Sequence, residues 1–154
     1  MPFAMLWPTF ALVLLIFVVW AVMFVQRFGH LRRNPPGEGD LASSAAAMRY
    51  FQPVEMAANN FSNLFEMPVL YFALVPLLLV THHGNHLQAV LAWVFVALRV
   101  VHSVIHIGPK QVMPRFLVYF ASCLVLSAMW IGFFVDMVHA ASLYHQALGT
   151  MAVR

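Results

Sequence analysis

The sequence predicts an all-α integral membrane protein, a bundle of four helices that each cross the bilayer. Two features of its composition indicate this fold: hydrophobic residues make up 63% of the 154 residues, and only 8% are charged. Soluble domains are about 45–50% apolar and about 25% charged, so this chain lacks the polar residues that a soluble surface needs. The apolar runs are also continuous, whereas the strands of a membrane β-barrel alternate apolar and polar residues.

Two further classes of protein are excluded by the same composition. A single cysteine, Cys123, cannot build a disulfide scaffold. The formal net charge is +3, but the basic residues are scattered and form no run interleaved with aromatic residues. We therefore expect no nucleic-acid partner.

Four spans follow from the interruptions between the apolar runs, because a spanning helix needs about 20 mostly apolar residues. Arg27 ends the first run, and Gly and Asn within residues 81–86 are typical of a turn between the second and third. Pro53 precedes the second span, Gly108 and Pro109 end the third, and the polar stretch 30–52 is predicted to be a loop. The predicted spans are about 4–29, 54–81, 87–107 and 112–144, all within one domain, 1–154.

Basic residues favour one orientation of these spans. Six of them lie in or beside the first and third connections: Arg27, Arg32, Arg33, Arg49, Lys110 and Arg115. The second connection has no Lys or Arg, and the C-terminus has only Arg154. The positive-inside rule places the first and third connections in the cytoplasm and both termini on the opposite side. In a bacterium the membrane would be the inner membrane.

Polar side chains within the spans are predicted to lie at one depth, in the cytoplasmic half. An ionisable side chain at the middle of a span costs roughly 2.5–3.5 kcal/mol on insertion scales, so these positions are informative. The set comprises Arg27 in span 1, Asn59, Asn60, Asn63 and Glu66 in span 2, Arg99, His102 and His106 in span 3, and Arg115 and Tyr119 in span 4. Spacings of three and four place each group on one helix face. The pattern predicts one shared cavity.

Each of these residues also has a structural interpretation. Arg27 and Arg115 could be anchors that extend to the membrane surface, and Tyr119 could belong to an interfacial aromatic belt. The asparagines could join helices by hydrogen bonds, and we expect Glu66 to neutralise Arg99 in part. A metal site at His102 and His106 is disfavoured because Arg99 would repel a cation, and no metal is predicted.

The residue types at this depth suit a small zwitterionic peptide with more than one carboxylate. Arginines bind carboxylates, a carboxylate such as Glu66 binds an ammonium group, and carboxamides pair with peptide groups. Glutathione is the abundant cytoplasmic example. A nearby arginine also favours the thiolate over the thiol, and a thiolate at the membrane boundary could attack lipid-dissolved electrophiles.

The motifs in three of the spans resemble those of the MAPEG family, the membrane-associated proteins of eicosanoid and glutathione metabolism, in its bacterial branch. Residues 59–71 are similar to the second-helix motif of that family. The third span contains the Arg-x-x-His pattern at Arg99 and His102, and the fourth contains Arg-x-x-x-Tyr at Arg115 and Tyr119. The resemblance covers nearly the whole chain. It implies a homotrimer of four-helix subunits whose sites lie between neighbouring subunits.

The resemblance also implies roles for particular residues. Glutathione would be the co-substrate, bound from the cytoplasmic side, and the partner would be a lipophilic electrophile in a transferase or peroxidase reaction. Arg115 would stabilise the thiolate and Arg27 would assist the electrophile, both as catalytic residues. The glutathione-binding residues would be Asn60, Asn63, Glu66, Arg99, His102, His106 and Tyr119.

One departure from the family pattern leaves a second hypothesis open. Glutathione-using members usually carry an Arg-x-x-Arg-Ala turn just before the asparagine of the second helix, but residues 54–58 here contain no arginine. Two carboxylate-binding groups are therefore missing. Their absence favours the alternative of a non-catalytic protein of the same fold, which binds lipids without carrying out chemistry.

Overall fold

The computed structural model describes residues 2–108 and 111–152, so Pro109, Lys110 and Arg154 lie outside the described residues. Most of this part of the chain is helical, and no strand occurs in it. The six α-helices are α1 (Leu6–Arg33), α2 (Ser44–Phe51), α3 (Glu55–Asn63), α4 (Met67–Val80), α5 (His86–Ile107) and α6 (Val112–Ala152). Short 3-10 helices, Pro2–Met5 and Gln52–Val54, precede α1 and α3.

Four helical segments of the described chain are long and apolar enough to cross a membrane, which confirms the all-helical, four-span fold. They are Phe3–Arg33, Ser44–Val80, His86–Ile107 and Val112–Gly149. The first and fourth extend further than predicted, since α1 ends at Arg33 and α6 ends at Ala152. The bundle thus has two ends. We call the end where α1 and α5 finish and α3 and α6 begin the arginine end, and the opposite end, with residues 81–85, the turn end.

Helix α2 lies within the stretch 30–52 that was expected to be a loop. Ser43 caps it, because the Ser43 hydroxyl oxygen accepts a 3.2 Å hydrogen bond from the Ala46 N–H. The three alanines that follow Ser44 are strong helix formers. The rings of Tyr50 and Phe51 contact the His30 ring, with centroids 4.9 and 6.2 Å away. These contacts hold α2 against the end of α1.

The second span is interrupted, which corrects the expectation of one continuous helix over 54–81. Helix α3 ends at Asn63 and α4 begins at Met67, with Glu66 in a non-helical conformation (φ −86°, ψ −100°). Pro68 explains the break, because its ring has no N–H and would clash with the carbonyl of residue 64 in a continuous helix. Asn63 and Glu66 therefore do not share one helix face, and Glu66 is exposed.

The apolar core lies toward the turn end. Tyr71 of α4 stacks on Phe95 of α5, with ring centroids 5.3 Å apart and planes inclined by 13°. The Tyr71 hydroxyl is 3.1 Å from the Thr9 hydroxyl of α1. The core residues are Met5, Leu12, Tyr71, Leu74, Val75, Leu78, Ala92, Phe95, Val96, Leu126, Met129 and Phe133.

Helix α5 is central to the bundle because it packs on α6 and also contacts α1 and α3. Near the turn end, the Gln88 side-chain amide of α5 donates a 3.0 Å hydrogen bond to the Met129 carbonyl of α6. Gly132 allows this approach, since a Cβ there would lie 3.3 Å from Gln88 Nε2. The outward surfaces of the spans expose large apolar side chains such as Phe17, Val104 and Phe134, as expected of helices that face lipid.

Candidate functional site

A cavity of about 230 Å³ opens between α3, α5 and α6 at the arginine end. Its lining includes one or more residues from each of the three motifs found in the sequence. The lining residues are Asn63, His102, Val112, Arg115, Phe116 and Tyr119. We call it the Arg115 cavity.

The beginning of α6 is joined to α5 through His102. The Nδ1 atom of His102 lies 3.3 Å from the carbonyl oxygen of Arg115. The His102 ring also contacts the rings of His106 and Tyr119, with centroids 5.4 and 5.7 Å away. Because Arg115 and Tyr119 are one turn apart on α6, this contact places both on the side of α6 that faces α5. His102 Nε2 is buried without a hydrogen-bond partner in the described chain, and the same holds for His106 Nδ1.

Arg99 is the most unusual residue near this cavity. Its side chain is 0% exposed, yet none of its three guanidinium nitrogens has a hydrogen-bond partner among residues 2–108 and 111–152. Its guanidinium carbon lies 5.0 Å from the centroid of the Tyr119 ring, a cation–π contact. An isolated buried charge costs several kcal/mol. Arg99 is therefore a candidate to bind an anion.

The expected pairing of Arg99 with Glu66 does not take the form of a hydrogen-bonded ion pair. Glu66 is exposed at the break between α3 and α4, and the guanidinium nitrogens of Arg99 have no partner in the described part of the chain. The cause is the helix break before Pro68, which moves Glu66 off the face that Asn60 and Asn63 share with α5.

Asn60 and Asn59 face in different directions. Asn60 is fully buried, and its side-chain oxygen accepts a 3.4 Å hydrogen bond from the Ser103 hydroxyl of α5. Its Nδ2 has no hydrogen-bond partner within the described residues. Asn59 is exposed. Asn60 thus joins α3 to α5.

Arg27 lies in a separate cavity of about 330 Å³, which we call the Arg27 cavity. It is lined by Arg27, Ser44, Ala47, Met48, Phe51, Glu55, Ala58 and Asn59. The Arg27 and Arg115 cavities have no lining residue in common. One subunit therefore does not bring Arg27 and Arg115, the two residues expected to be catalytic, to the same cavity.

The nine predicted site residues thus fall into three groups. Four line the Arg115 cavity: Asn63, His102, Arg115 and Tyr119. Three adjoin these residues or their helices: Arg99 through the Tyr119 ring, His106 through the His102 ring, and Asn60 through Ser103. Arg27 lies apart from both groups. Glu66 lines none of the described cavities, but it is near enough to interact electrostatically with Arg99 and Tyr119. The single cavity expected from the sequence is therefore formed by part of the predicted set.

Two residues of the site were missed in the sequence. Val112 and Phe116 line the Arg115 cavity and are exposed, so they form an apolar rim. Phe116 lies three residues before Tyr119, a spacing that could have placed it on the same face.

An apolar cavity of about 400 Å³ lies between α1 and α5. Its lining is Leu15, Val18, Val19, Val22, Val100, Ser103, Val104, Ile107 and Gly108. His102 and Ser103 are consecutive on α5 but line different cavities, so α5 separates the apolar cavity from the Arg115 cavity. In the described part of the chain, no group of three His, Cys, Asp or Glu side chains is arranged to hold a metal ion.

The Arg115 cavity can bind an anionic, peptide-like ligand and stabilise negative charge on it. Arg115 contributes a half-buried cation, Tyr119 a hydroxyl and Asn63 a carboxamide. The buried guanidinium of Arg99, which has no hydrogen-bond partner in the described chain, lies against the Tyr119 ring of this lining. Such unpaired donors gain most from a ligand that carries carboxylate and amide groups.

Comparison with known proteins gives one match. The model of the MAPEG family matches residues 5–135. This range contains α1 to α5, the first part of α6 and all nine predicted site residues. No curated protein and no solved structure matches the chain.

Proposed function

This chain belongs to the MAPEG family, and we propose that it is a membrane-bound, glutathione-dependent transferase or peroxidase that acts on lipophilic electrophiles. The observation that carries the proposal is the Arg115 cavity. Two family motifs, at His102 and at Arg115 with Tyr119, meet there with Asn63. Glutathione, when bound, would supply the thiol that reacts with the electrophile.

The residues of the cavity have distinct roles in this proposal. Arg115 stabilises the negative charge of the thiolate, since an adjacent guanidinium favours that form. Tyr119 donates a hydrogen bond from its hydroxyl, and the carboxamide of Asn63 pairs with a peptide group. Arg99 compensates a carboxylate, which supplies the partner that its buried guanidinium lacks in the described chain.

The lipophilic substrate approaches from the bilayer across the apolar rim of the cavity. Phe116 and Val112 form this rim, with exposed fractions of 57% and 67%. Because they adjoin Arg115 on α6, a substrate dissolved in lipid reaches the cationic end of the cavity without crossing water. We place this end in the cytoplasm, as the positive-inside rule indicates.

We also propose a homotrimer, as in the family. The outward face of the second span supports self-association, because Asn59, Ser62 and Glu66 are exposed there. Lipid chains cannot satisfy these groups, whereas a neighbouring copy can. The role of Arg27 in assisting the electrophile requires such a copy to bring it to the Arg115 cavity. The proposal for a single subunit therefore rests on Arg115.

The test is the rate of glutathione conjugation to an aromatic electrophile, measured on the full-length protein in detergent. We expect Arg115→Ala to lower the rate by about 100-fold or more, because it removes the group that stabilises the reacting charge. Arg33→Ala is the matched control, since Arg33 is exposed at the same end and lines none of the described cavities. Equal rates for wild type and Arg115→Ala would remove Arg115 from catalysis.

A lipid-binding protein without catalysis is the second candidate. Two observations favour it: residues 54–58 lack the arginines of glutathione-using members, and the apolar cavity between α1 and α5 can take an acyl chain. Calorimetry of glutathione binding distinguishes the two. A dissociation constant in the millimolar range or weaker, with co-purified lipid seen by native mass spectrometry, would favour the second candidate.

A further inference from the structure

The Arg27 cavity is held in place by contacts between α2 and the end of α1. Tyr50 donates a hydrogen bond from its hydroxyl to the Asn34 carbonyl, and the His30 ring contacts the rings of both Tyr50 and Phe51. The capping bond of Ser43 fixes the start of α2. The cavity of about 330 Å³ enclosed by α1, α2 and α3 therefore has defined walls.

Two opposite charges line this cavity without being paired to each other. Arg27 is half-buried, and its Nε is enclosed without a hydrogen-bond partner among the described residues. Its guanidinium carbon lies 5.0 Å from the centroid of the Phe51 ring. Glu55, also half-buried, is the first residue of α3 and lines the same cavity. No ion pair joins Arg27 to Glu55 in the part of the chain that the structure describes.

The contact with Phe51 determines how Arg27 can bind a ligand. An aromatic ring over one face of a guanidinium leaves its donors in the plane of the group, where they match the oxygens of a phosphate. Ser44 contributes a hydroxyl and Asn59 a carboxamide to the same lining. The cavity thus offers an anion-binding group, a cation-binding group and two neutral hydrogen-bonding groups.

We propose that the Arg27 cavity binds the zwitterionic head group of a phospholipid, with the phosphate on Arg27 and the ammonium group on Glu55. A ligand that carries both charges satisfies both side chains, whereas an anion alone would leave Glu55 unpaired beside it.

The position of the cavity identifies a lipid as the source of this zwitterion. Met48 is an apolar side chain that lines the cavity and has an exposed fraction of 74%, and such a residue suits the boundary between head groups and acyl chains. The acyl chains would lie along the apolar outer surface of α1. Within one chain this site shares no lining residue with the Arg115 cavity, so the proposal gives Arg27 a lipid as its ligand in place of the electrophile.

The experiment is calorimetric titration of the full-length protein in detergent with dihexanoyl phosphatidylethanolamine, and separately with dihexanoyl phosphatidylglycerol, which lacks the ammonium group. Wild type is expected to bind the ethanolamine lipid more tightly. Arg27→Gln should weaken both lipids by about tenfold or more, since a charge-assisted hydrogen bond is lost. Glu55→Gln should weaken only the ethanolamine lipid. Arg49→Gln is the control, because Arg49 is exposed on α2 and does not line the cavity.

Several outcomes would overturn the proposal. The first is that Arg27→Gln and Glu55→Gln both bind the two lipids with wild-type affinity. The second is that Arg49→Gln loses as much lipid affinity as Arg27→Gln, which would indicate a general charge effect. Tight binding of free phosphoethanolamine would identify a soluble zwitterion as the ligand instead of a lipid. Loss of glutathione binding in Glu55→Gln would assign the cavity to glutathione. If Arg27→Gln does not fold, Arg27→Lys is the second variant. It keeps the positive charge but loses the planar set of N–H donors, so it should weaken the binding of both lipids by a smaller factor.

Discussion

The two ends of the bundle differ in how many of their buried polar atoms have hydrogen-bond partners. At the turn end, apolar side chains fill the interior, and Thr9 and Tyr71 pair their hydroxyls. At the arginine end, buried polar atoms lack partners within the described residues. Seven of the nine unpartnered buried atoms belong to this end, on Arg27, Asn60, Arg99, His102 and His106, and the other two are Gln88 Oε1 and Trp130 Nε1. The apolar interior of the turn end accounts for stability, and the unpartnered atoms of the arginine end fit the proposal that a ligand binds there.

The comparison predicts the largest loss of stability at the turn end. Phe95→Ala removes a fully buried ring that stacks on Tyr71, and such a substitution costs about 3–5 kcal/mol because it leaves a cavity. Phe134→Ala is the control, since Phe134 is 67% exposed and should change stability little. Thermal unfolding in detergent measures both. A smaller loss for Phe95→Ala than for Phe134→Ala would contradict the assignment of the core.

At the arginine end the expected effect on stability has the opposite sign. Arg99→Met replaces a buried, unpaired guanidinium with an apolar side chain of similar length. Replacing buried charges by apolar groups is often neutral or stabilising by about 1–4 kcal/mol, so this variant should unfold at an equal or higher temperature than wild type. The same variant should no longer bind glutathione, as measured by calorimetry. A lower unfolding temperature together with unchanged glutathione binding would show that Arg99 is structural.

The smallest expected effect concerns the close approach of α5 and α6. Gly132→Ala places a Cβ 3.3 Å from Gln88 Nε2, which displaces the side chain that donates to the Met129 carbonyl. We expect Gly132→Ala to be less stable than the Gly149→Ala control by about 1 kcal/mol, the net value of one hydrogen bond. Gly149→Ala is the control, because nothing lies within 4 Å of a Cβ there, and it should gain stability by about 0.5–1 kcal/mol through helix propensity. A stabilising Gly132→Ala would show that Gln88 can move without cost.

Local signals in the chain predicted part of the candidate site. The spacings of Arg99 with His102 and of Arg115 with Tyr119 are set by the turns of single helices. His102, Arg115 and Tyr119 line the Arg115 cavity, and Arg99 contacts the Tyr119 ring. Helix α2 could have been found from the capping residue Ser43 and the alanines after Ser44. Pro68 could have indicated the break in the second span, at which α3 ends at Asn63 and Glu66 leaves the helix.

The number of spans and their all-helical character were determined by the sequence alone. A segment in lipid must satisfy its own backbone hydrogen bonds, so each apolar run of sufficient length forms a helix whatever its neighbours do. The directions of the polar side chains were decided by the tertiary structure. Asn60 is buried and Asn59 exposed, and Arg27 lies beside Glu55 instead of Arg115. These outcomes depend on how each helix is rotated against its partners, and side-chain packing between helices sets that rotation.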